Sequence, residues 1–147
     1  MNYNSIALSI VLVFFAPTMV GAKTWQVYML NQSDQGAMVF KPAFIQVQPG
    51  DQVDFVPVDT GHNTQSVVVP EQAQPWQSKT DEKISIKLIQ EGVYVYQCSN
   101  HQIMGMVGVI QVGTPTNLSK AQAFAKQWQA EVVMNKQRLD DYLKKIK

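Results

Sequence analysis

Between residues 24 and 112 the chain reads as short apolar-rich runs separated by turn residues, several of them with an apolar side chain at every second position, and no apolar stripe at helical spacing crosses this stretch. A period of two places alternate side chains on opposite faces of a pleated strand, so this part of the chain is confined to β-sheet with one covered face. Trp25, Val27 and Met29 alternate with Gln26 and Tyr28, and residues 44–47 run into the turn signal Pro49-Gly50-Asp51 before residues 53–58. Ile84, Ile86 and Leu88 alternate with Ser85 and Lys87, Glu91-Gly92 turns the chain into residues 93–97, and residues 106–112 close the series. Short alternating strands of this kind pack as a sandwich with one face of each sheet inward.

After Gly113 the period changes to that of a helix: Ala121, Phe124, Ala125, Trp128 and Val132 share one face, and Leu139, Tyr142, Leu143 and Ile146 share another. Two helices are expected, with a break near Met134-Asn135. Thr116, Asn117 and Ser119 are candidate N-caps, and Lys144, Lys145 and Lys147 suit the negative end of a helix dipole. An amphipathic stripe most often faces its own core, so this segment is expected to cover an open face of the sandwich rather than lie on a membrane. The fold class is therefore all-β with two C-terminal helices, residues 23–114 forming the sandwich and residues 115–147 a helical extension of the same domain. A chain of 147 residues has room for one such core.

Residues 6–20 are almost wholly apolar and are followed by Gly21-Ala22, small residues of the kind found at a signal-peptidase site. Residues 1–22 are read as a signal peptide cleaved after Ala22, although no Lys or Arg precedes the apolar run. That run is short for a membrane-spanning helix. Export to the periplasm follows, with a mature chain beginning at Lys23 and no stable membrane association. All 12 basic and 11 acidic residues lie after Ala22. Residues 23–114 carry five basic and eight acidic side chains, and residues 115–147 carry seven and three. This balance gives no support to nucleic-acid binding.

An exported chain usually pairs its thiols, yet this one has a single cysteine, Cys98, so an internal disulfide is excluded. Its neighbours suggest another use. The two histidines and the cysteine fall as His62, then Cys98-Ser99-Asn100-His101, followed by Met104 and Met106. One thiolate, two imidazoles and a weak thioether are what a copper ion cycling between Cu(I) and Cu(II) takes, a compromise between the geometries of its two oxidation states. Seven residues separate Cys98 from Met106, so one loop between adjacent strands can supply three ligands, and His62 follows Gly61 at the end of another strand. A copper enzyme with a second metal centre would need histidines beyond His62 and His101. Cys98 and His101 drawn as a nucleophilic pair lack a visible supporting pocket, and zinc is poorly served by a thioether.

These residues resemble the cupredoxin family, and within it the pseudoazurins. The likeness is carried by Tyr28-Met29-Leu30-Asn31, Gly36-Ala37-Met38-Val39-Phe40, Pro49-Gly50-Asp51, Val56-Pro57-Val58-Asp59, Gly61-His62-Asn63, and Cys98-Ser99-Asn100-His101 leading to Met104-Gly105-Met106. The resemblance implies a Greek-key sandwich of about eight strands and one type 1 copper ion, with His62, Cys98 and His101 as equatorial ligands and Met106 as the axial one. It implies a monomeric electron carrier, not an enzyme. Electrons would pass by outer-sphere transfer through the His101 edge to a periplasmic reductase such as copper nitrite reductase, and arrive from a cytochrome or a quinol-oxidising complex. Met38 and Met104 would form an apolar surface around that edge, and Asn63 would tie the ligand loops together. Two positions depart from the family pattern. Asn100 stands where pseudoazurins usually carry Pro, restoring an N–H that is expected to reach the Cys98 sulfur. The lysines that usually ring the copper face are reduced to Lys41 and Lys79 as candidates.

Overall fold

The computed structural model describes residues 21–147; residues 1–20, all but the last two of the expected leader 1–22, lie outside the described residues. Eight strands are present: β1 (Thr24–Ser33), β2 (Gly36–Lys41), β3 (Phe44–Val47), β4 (Gln52–Pro57), β5 (Gln65–Val68), β6 (Ile84–Lys87), β7 (Gly92–Gln97) and β8 (Val107–Val112). Helices α1 (Leu118–Glu131) and α2 (Arg138–Leu143) follow. The strands form two four-stranded sheets, ordered β2-β1-β4-β6 and β3-β8-β7-β5. Within them β1 runs parallel to β4, and β3 parallel to β8. Successive strands thus cross between sheets in the manner of a Greek key.

The core between the sheets is built by the alternation in β1 and β4. Val27, Met29, Val53 and Phe55 are fully buried against Tyr94, Tyr96, Ile110 and Val112 of the other sheet, and Trp76 enters from the β5–β6 connection. Phe40 and Phe55 meet the Tyr96 ring edge-on at centroid distances of 4.8 and 4.9 Å, a favoured aromatic geometry.

β7 and β8 behave differently, because every residue of both strands is buried. Tyr94 and Tyr96 point between the sheets, while Val93, Val95, Val107 and Val109 lie against Ala121, Ala125, Trp128, Leu139 and Leu143 of the helices. The C-terminal helices therefore cover the outer face of the second sheet, which explains why these two strands read as nearly continuous apolar runs. α1 ends at Glu131 and α2 begins at Arg138, so the break falls where Met134-Asn135 marked it. Of the candidate caps, Asn117 occupies the N-cap position but makes no capping bond. Its side chain instead accepts from the Val93 N–H at 2.6 Å and donates to the Val93 carbonyl at 2.9 Å, pinning the start of α1 to β7. Ile146 lies beyond the short α2 and is half-buried. No helix among the described residues is long and apolar enough to cross a membrane.

Asp51, in the turn before β4, is buried and collects three donors. Its carboxylate accepts from the Lys23 N–H at 2.8 Å, the Trp25 indole at 2.9 Å and the Gln48 N–H at 3.1 Å. Burial pushes its pKa up, but these donors outweigh burial and hold it below the ordinary carboxylate value. Asp51→Ala is expected to lower the thermal midpoint at neutral pH by roughly 5–10 °C. Because the folded-state pKa is depressed, the carboxylate's contribution is complete above about pH 4 and is lost as pH falls through the folded value. Calorimetry of both proteins should show their midpoints converging in acid.

Candidate metal centre

The pairing of β7 with β8 sets the frame of the site. Gln97 faces Val107 across this antiparallel pair, and the next residues outward are Cys98 and Met106, joined by a Cys98 N–H to Met106 carbonyl bond of 3.0 Å. Cys98 thus stands just beyond the end of β7 and Met106 just before β8. The residues between them form a 3₁₀ segment, Ser99–Met104. This loop is tied internally by bonds from the His101 N–H to the Cys98 carbonyl (3.2 Å) and from the Met106 N–H to the His101 carbonyl (3.3 Å). His62 lies in the β4–β5 connection. β5 pairs with β7, Gln65 facing Gln97, and so carries His62, Asn63 and Thr64 alongside Cys98.

The side chains converge. The Cys98 sulfur is 3.5 Å from His101 Nδ1 and 4.0 Å from His62 Nδ1, and the three donor atoms all lie within 4.8 Å of one another. An ion bonded at about 2.0 Å to nitrogen and 2.3 Å to sulfur, at angles between tetrahedral and trigonal, holds such atoms roughly 3.5–3.8 Å apart. The two sulfur–nitrogen spacings fit a single ion within a few tenths of an ångström. Met106 is wholly buried in the same cluster as Cys98 and adds a thioether to the donor set. One thiolate, two imidazoles and a thioether select copper over zinc.

Hydrogen bonds around the site orient these ligands. Asn31, on β1, lies with Oδ1 2.9 Å from His62 Nε2. With the proton on Nε2, that nitrogen donates to Asn31 and Nδ1 keeps a free lone pair facing the sulfur. Burial, and then the proximity of His101, push the His62 pKa below its ordinary value, against weaker opposing effects of Asp59 and Asp81. A neutral imidazole is the form that binds metal. The Asp81 carboxylate accepts from the Gly61 and His62 N–H groups at 2.7 and 3.2 Å, and the Asp81 N–H returns a bond to the His62 carbonyl at 2.7 Å.

Two asparagines span the ligand loops. Asn63 donates through Nδ2 to Ser99 Oγ at 2.7 Å and accepts at Oδ1 from the Ser99 N–H at 2.9 Å. The backbone N–H that approaches the Cys98 sulfur belongs to Asn63, at 3.5 Å. The sequence-based expectation had placed Asn100 in that role. Among the described hydrogen bonds, Asn100 contributes its side-chain amide instead, donating to the Gly61 carbonyl at 3.0 Å and to Thr80 Oγ1 at 3.1 Å. Its position in the tight 3₁₀ turn leaves the side chain free to cross to the other loop. Asn31 and Asp81 were not singled out from sequence as parts of the site. Asn31 belongs to an interior strand of the first sheet, and only the fold brings it to His62.

Exposure divides the two histidines, His62 being fully buried and His101 partly exposed. Met38 and Met104 are half-buried, and Ile103 beside Met104 is strongly exposed. Lys41 is held by Asp34 in a surface ion pair of 2.7 Å. Lys79 lines a shallow polar depression with Asn63, Ser99 and Asn100.

A thiolate, two imidazoles and a thioether gathered at one end of a Greek-key sandwich define a cupredoxin with a type 1 copper site. Residues 27–113 match the family model for copper binding proteins of the plastocyanin/azurin family. The pseudoazurin of Paracoccus pantotrophus is 43% identical over 103 residues, covering 68% of this chain and 71% of that protein. Among solved structures, native pseudoazurin from Hyphomicrobium denitrificans superposes with a TM-score of 0.76 at 37% identity, covering 84% of this chain and 98% of the other. Pseudoazurin from Methylobacterium extorquens AM1 gives 0.74 at 32%, covering 84% and 99%. The chain belongs to the plastocyanin/azurin family of copper-binding proteins and, within it, to the pseudoazurins, which are electron carriers and not enzymes.

Loss of an outer hydrogen bond to a ligand typically costs 10–100-fold in metal affinity. Asn31→Ala and Asn63→Ala are each expected to weaken Cu(II) binding by about that factor, measured by competition with a chelator of known affinity. Unaltered affinity in both would show that these bonds do not organise the site.

Proposed function

We propose that this protein carries single electrons in the periplasm, from a cytochrome or quinol-oxidising complex to copper nitrite reductase or a similar reductase. In this reading residues 1–22 direct export and are removed after Ala22. Residues 23–114 and the helical segment 115–147 then act as one domain. The observation that carries the proposal is the unequal exposure of the two imidazoles: His62 is sealed inside while His101 is partly open to solvent.

His62, Cys98, His101 and Met106 would hold the copper ion, which supplies a one-electron couple. The chain's own contribution is to keep these four residues in nearly one arrangement. Asn63 and Asn100 each bind one ligand loop to the other, and Asn31 fixes the His62 ring. Little rearrangement then opposes a transfer. His101 offers a short route to a partner, and in this reading the half-buried Met38 and Met104 form the apolar surface around it. A small contact suits an encounter that must end quickly.

Lys41 and Lys79 are the docking cations in this reading, but Asp34 already neutralises Lys41, and residues 23–114 are net acidic. Docking should thus lean on apolar contact more than on charge. Met38→Lys and Met104→Lys are each expected to slow reduction of a copper nitrite reductase by about tenfold or more in stopped-flow mixing, with the visible spectrum of the carrier unchanged. The rate for the unaltered protein should fall only shallowly with added salt. Fast transfer by both variants, or a steep salt dependence, would contradict this docking mode.

A further inference from the structure

The connection between α1 and α2, together with the first residue of α2, does more than join two covering helices. It binds the backbone carbonyls of three successive residues in the ligand loop. The Ile103 carbonyl accepts from the Val133 and Met134 N–H groups at 2.8 and 3.1 Å. Asn135 Nδ2 donates to the Met104 carbonyl at 2.8 Å, and the Arg138 guanidinium donates to the Gly105 carbonyl at 3.1 Å. The approach is close enough to exclude a side chain at position 105. A Cβ on Gly105 would fall 2.6 Å from the Met134 carbonyl oxygen and 2.9 Å from Asn135 Cβ, and the residue's φ of +75° also favours glycine.

Arg138 reaches a second piece of the copper face at the same time. Its guanidinium donates to the carbonyls of Met38 (2.8 Å), Ala37 (3.0 Å) and Gln35 (3.3 Å). Met38 itself has a φ of +49°, in the left-handed region that non-glycine residues seldom occupy. Hydrogen bonds from a charged donor are stronger than those between neutral groups. The planar fork of Arg138 is well suited to holding several carbonyls in fixed relation.

We propose that Arg138, with Asn135, is a positioning residue for the axial ligand Met106. The Gly105 carbonyl and the Met106 N–H belong to one rigid peptide unit. Arg138 fixes that unit at its oxygen, and the His101 carbonyl fixes it at its nitrogen. The plane from which Met106 departs is therefore held at both ends, and the C-terminal segment sets how near the thioether stands to the Cys98 sulfur and the two imidazoles. In type 1 sites the weak axial ligand tunes the reduction potential, so Arg138 acts on the potential through Met106. This inference rests on Met106 being the axial ligand.

The test uses Arg138→Met, which keeps the side chain's bulk and removes its donors, and Asn135→Gly, which suits the positive φ of that position and removes one bond. Ala121→Gly, which loosens α1 at its distant start, is the comparison for general destabilisation. In copper-free protein, amide exchange at Gly105 and Met106 should become about tenfold faster in R138M than in A121G. With copper bound, R138M should shift both the reduction potential and the relative intensities of the visible bands, while A121G leaves them unchanged. N135G should do the same to a smaller degree, and it carries the test if R138M does not fold. A lower melting temperature with loop exchange, potential and bands all like those of A121G would overturn the proposal. Exchange that quickens while potential and bands hold would also overturn it. If even the unaltered protein lacks thiolate-copper bands, the metal-site reading itself has failed.

Discussion

The site depends on the antiparallel pair β7–β8, from whose ends Cys98 and Met106 emerge side by side. Both strands are buried on both faces, by the opposite sheet on one side and by α1 and α2 on the other. A strand packed on two faces cannot slip by one residue without turning every side chain to the wrong face. The register that sets Gln97 against Val107 is therefore fixed by the whole core. The short loop beyond it inherits that fixity, because its two ends are held at one distance and its interior is closed by its own hydrogen bonds.

Around this frame the remaining ligand is brought in from a different direction. His62 arrives on the connection from the first sheet to the second, guided by β5 beside β7. Nothing local to its own loop would place it, and so three separate segments hold it: Asn31 at the ring, Asp81 at the backbone, and Asn63 and Asn100 between the loops. Each bond is of modest strength alone, on the order of 1 kcal/mol. Together they cross-link the two loops, which then behave as one body. The arrangement keeps His62 dry and leaves His101 at the surface, the asymmetry that an electron carrier requires.

Much of this was legible in the sequence, for physical reasons. Short apolar-rich runs between turn residues revealed six of the eight strands, β2 and β5 escaping that reading, and the change to helical period after Gly113 revealed the two helices and their break. The ligand residues stood out because metal chemistry needs rare residue types, and a chain with two histidines and one cysteine offers few ways to assemble them. What stayed hidden was whatever depends on contacts between distant segments. Asn31 is 31 residues from His62, and Arg138 is 100 residues from Met38. Neither carries a local signal, since asparagine and arginine on a surface strand or helix are ordinary. Asn63 ties the loops together as its place in the sequence suggested, but the N–H over the sulfur is its own and not that of Asn100, because only the fold decides which backbone N–H lies over Sγ. The N-cap Asn117 was legible as a cap and proved to be a strut to β7.

The central claim is that one copper ion bound by Cys98 thiolate cycles between two oxidation states without leaving the site. The most direct measurement is the visible absorption spectrum of the purified protein with one equivalent of Cu(II), before and after ascorbate and again after reoxidation. The account predicts an intense blue to green colour that bleaches on reduction and returns in full. A pale or colourless protein that nonetheless retains copper would show that Cys98 is not a ligand, and the account would fall.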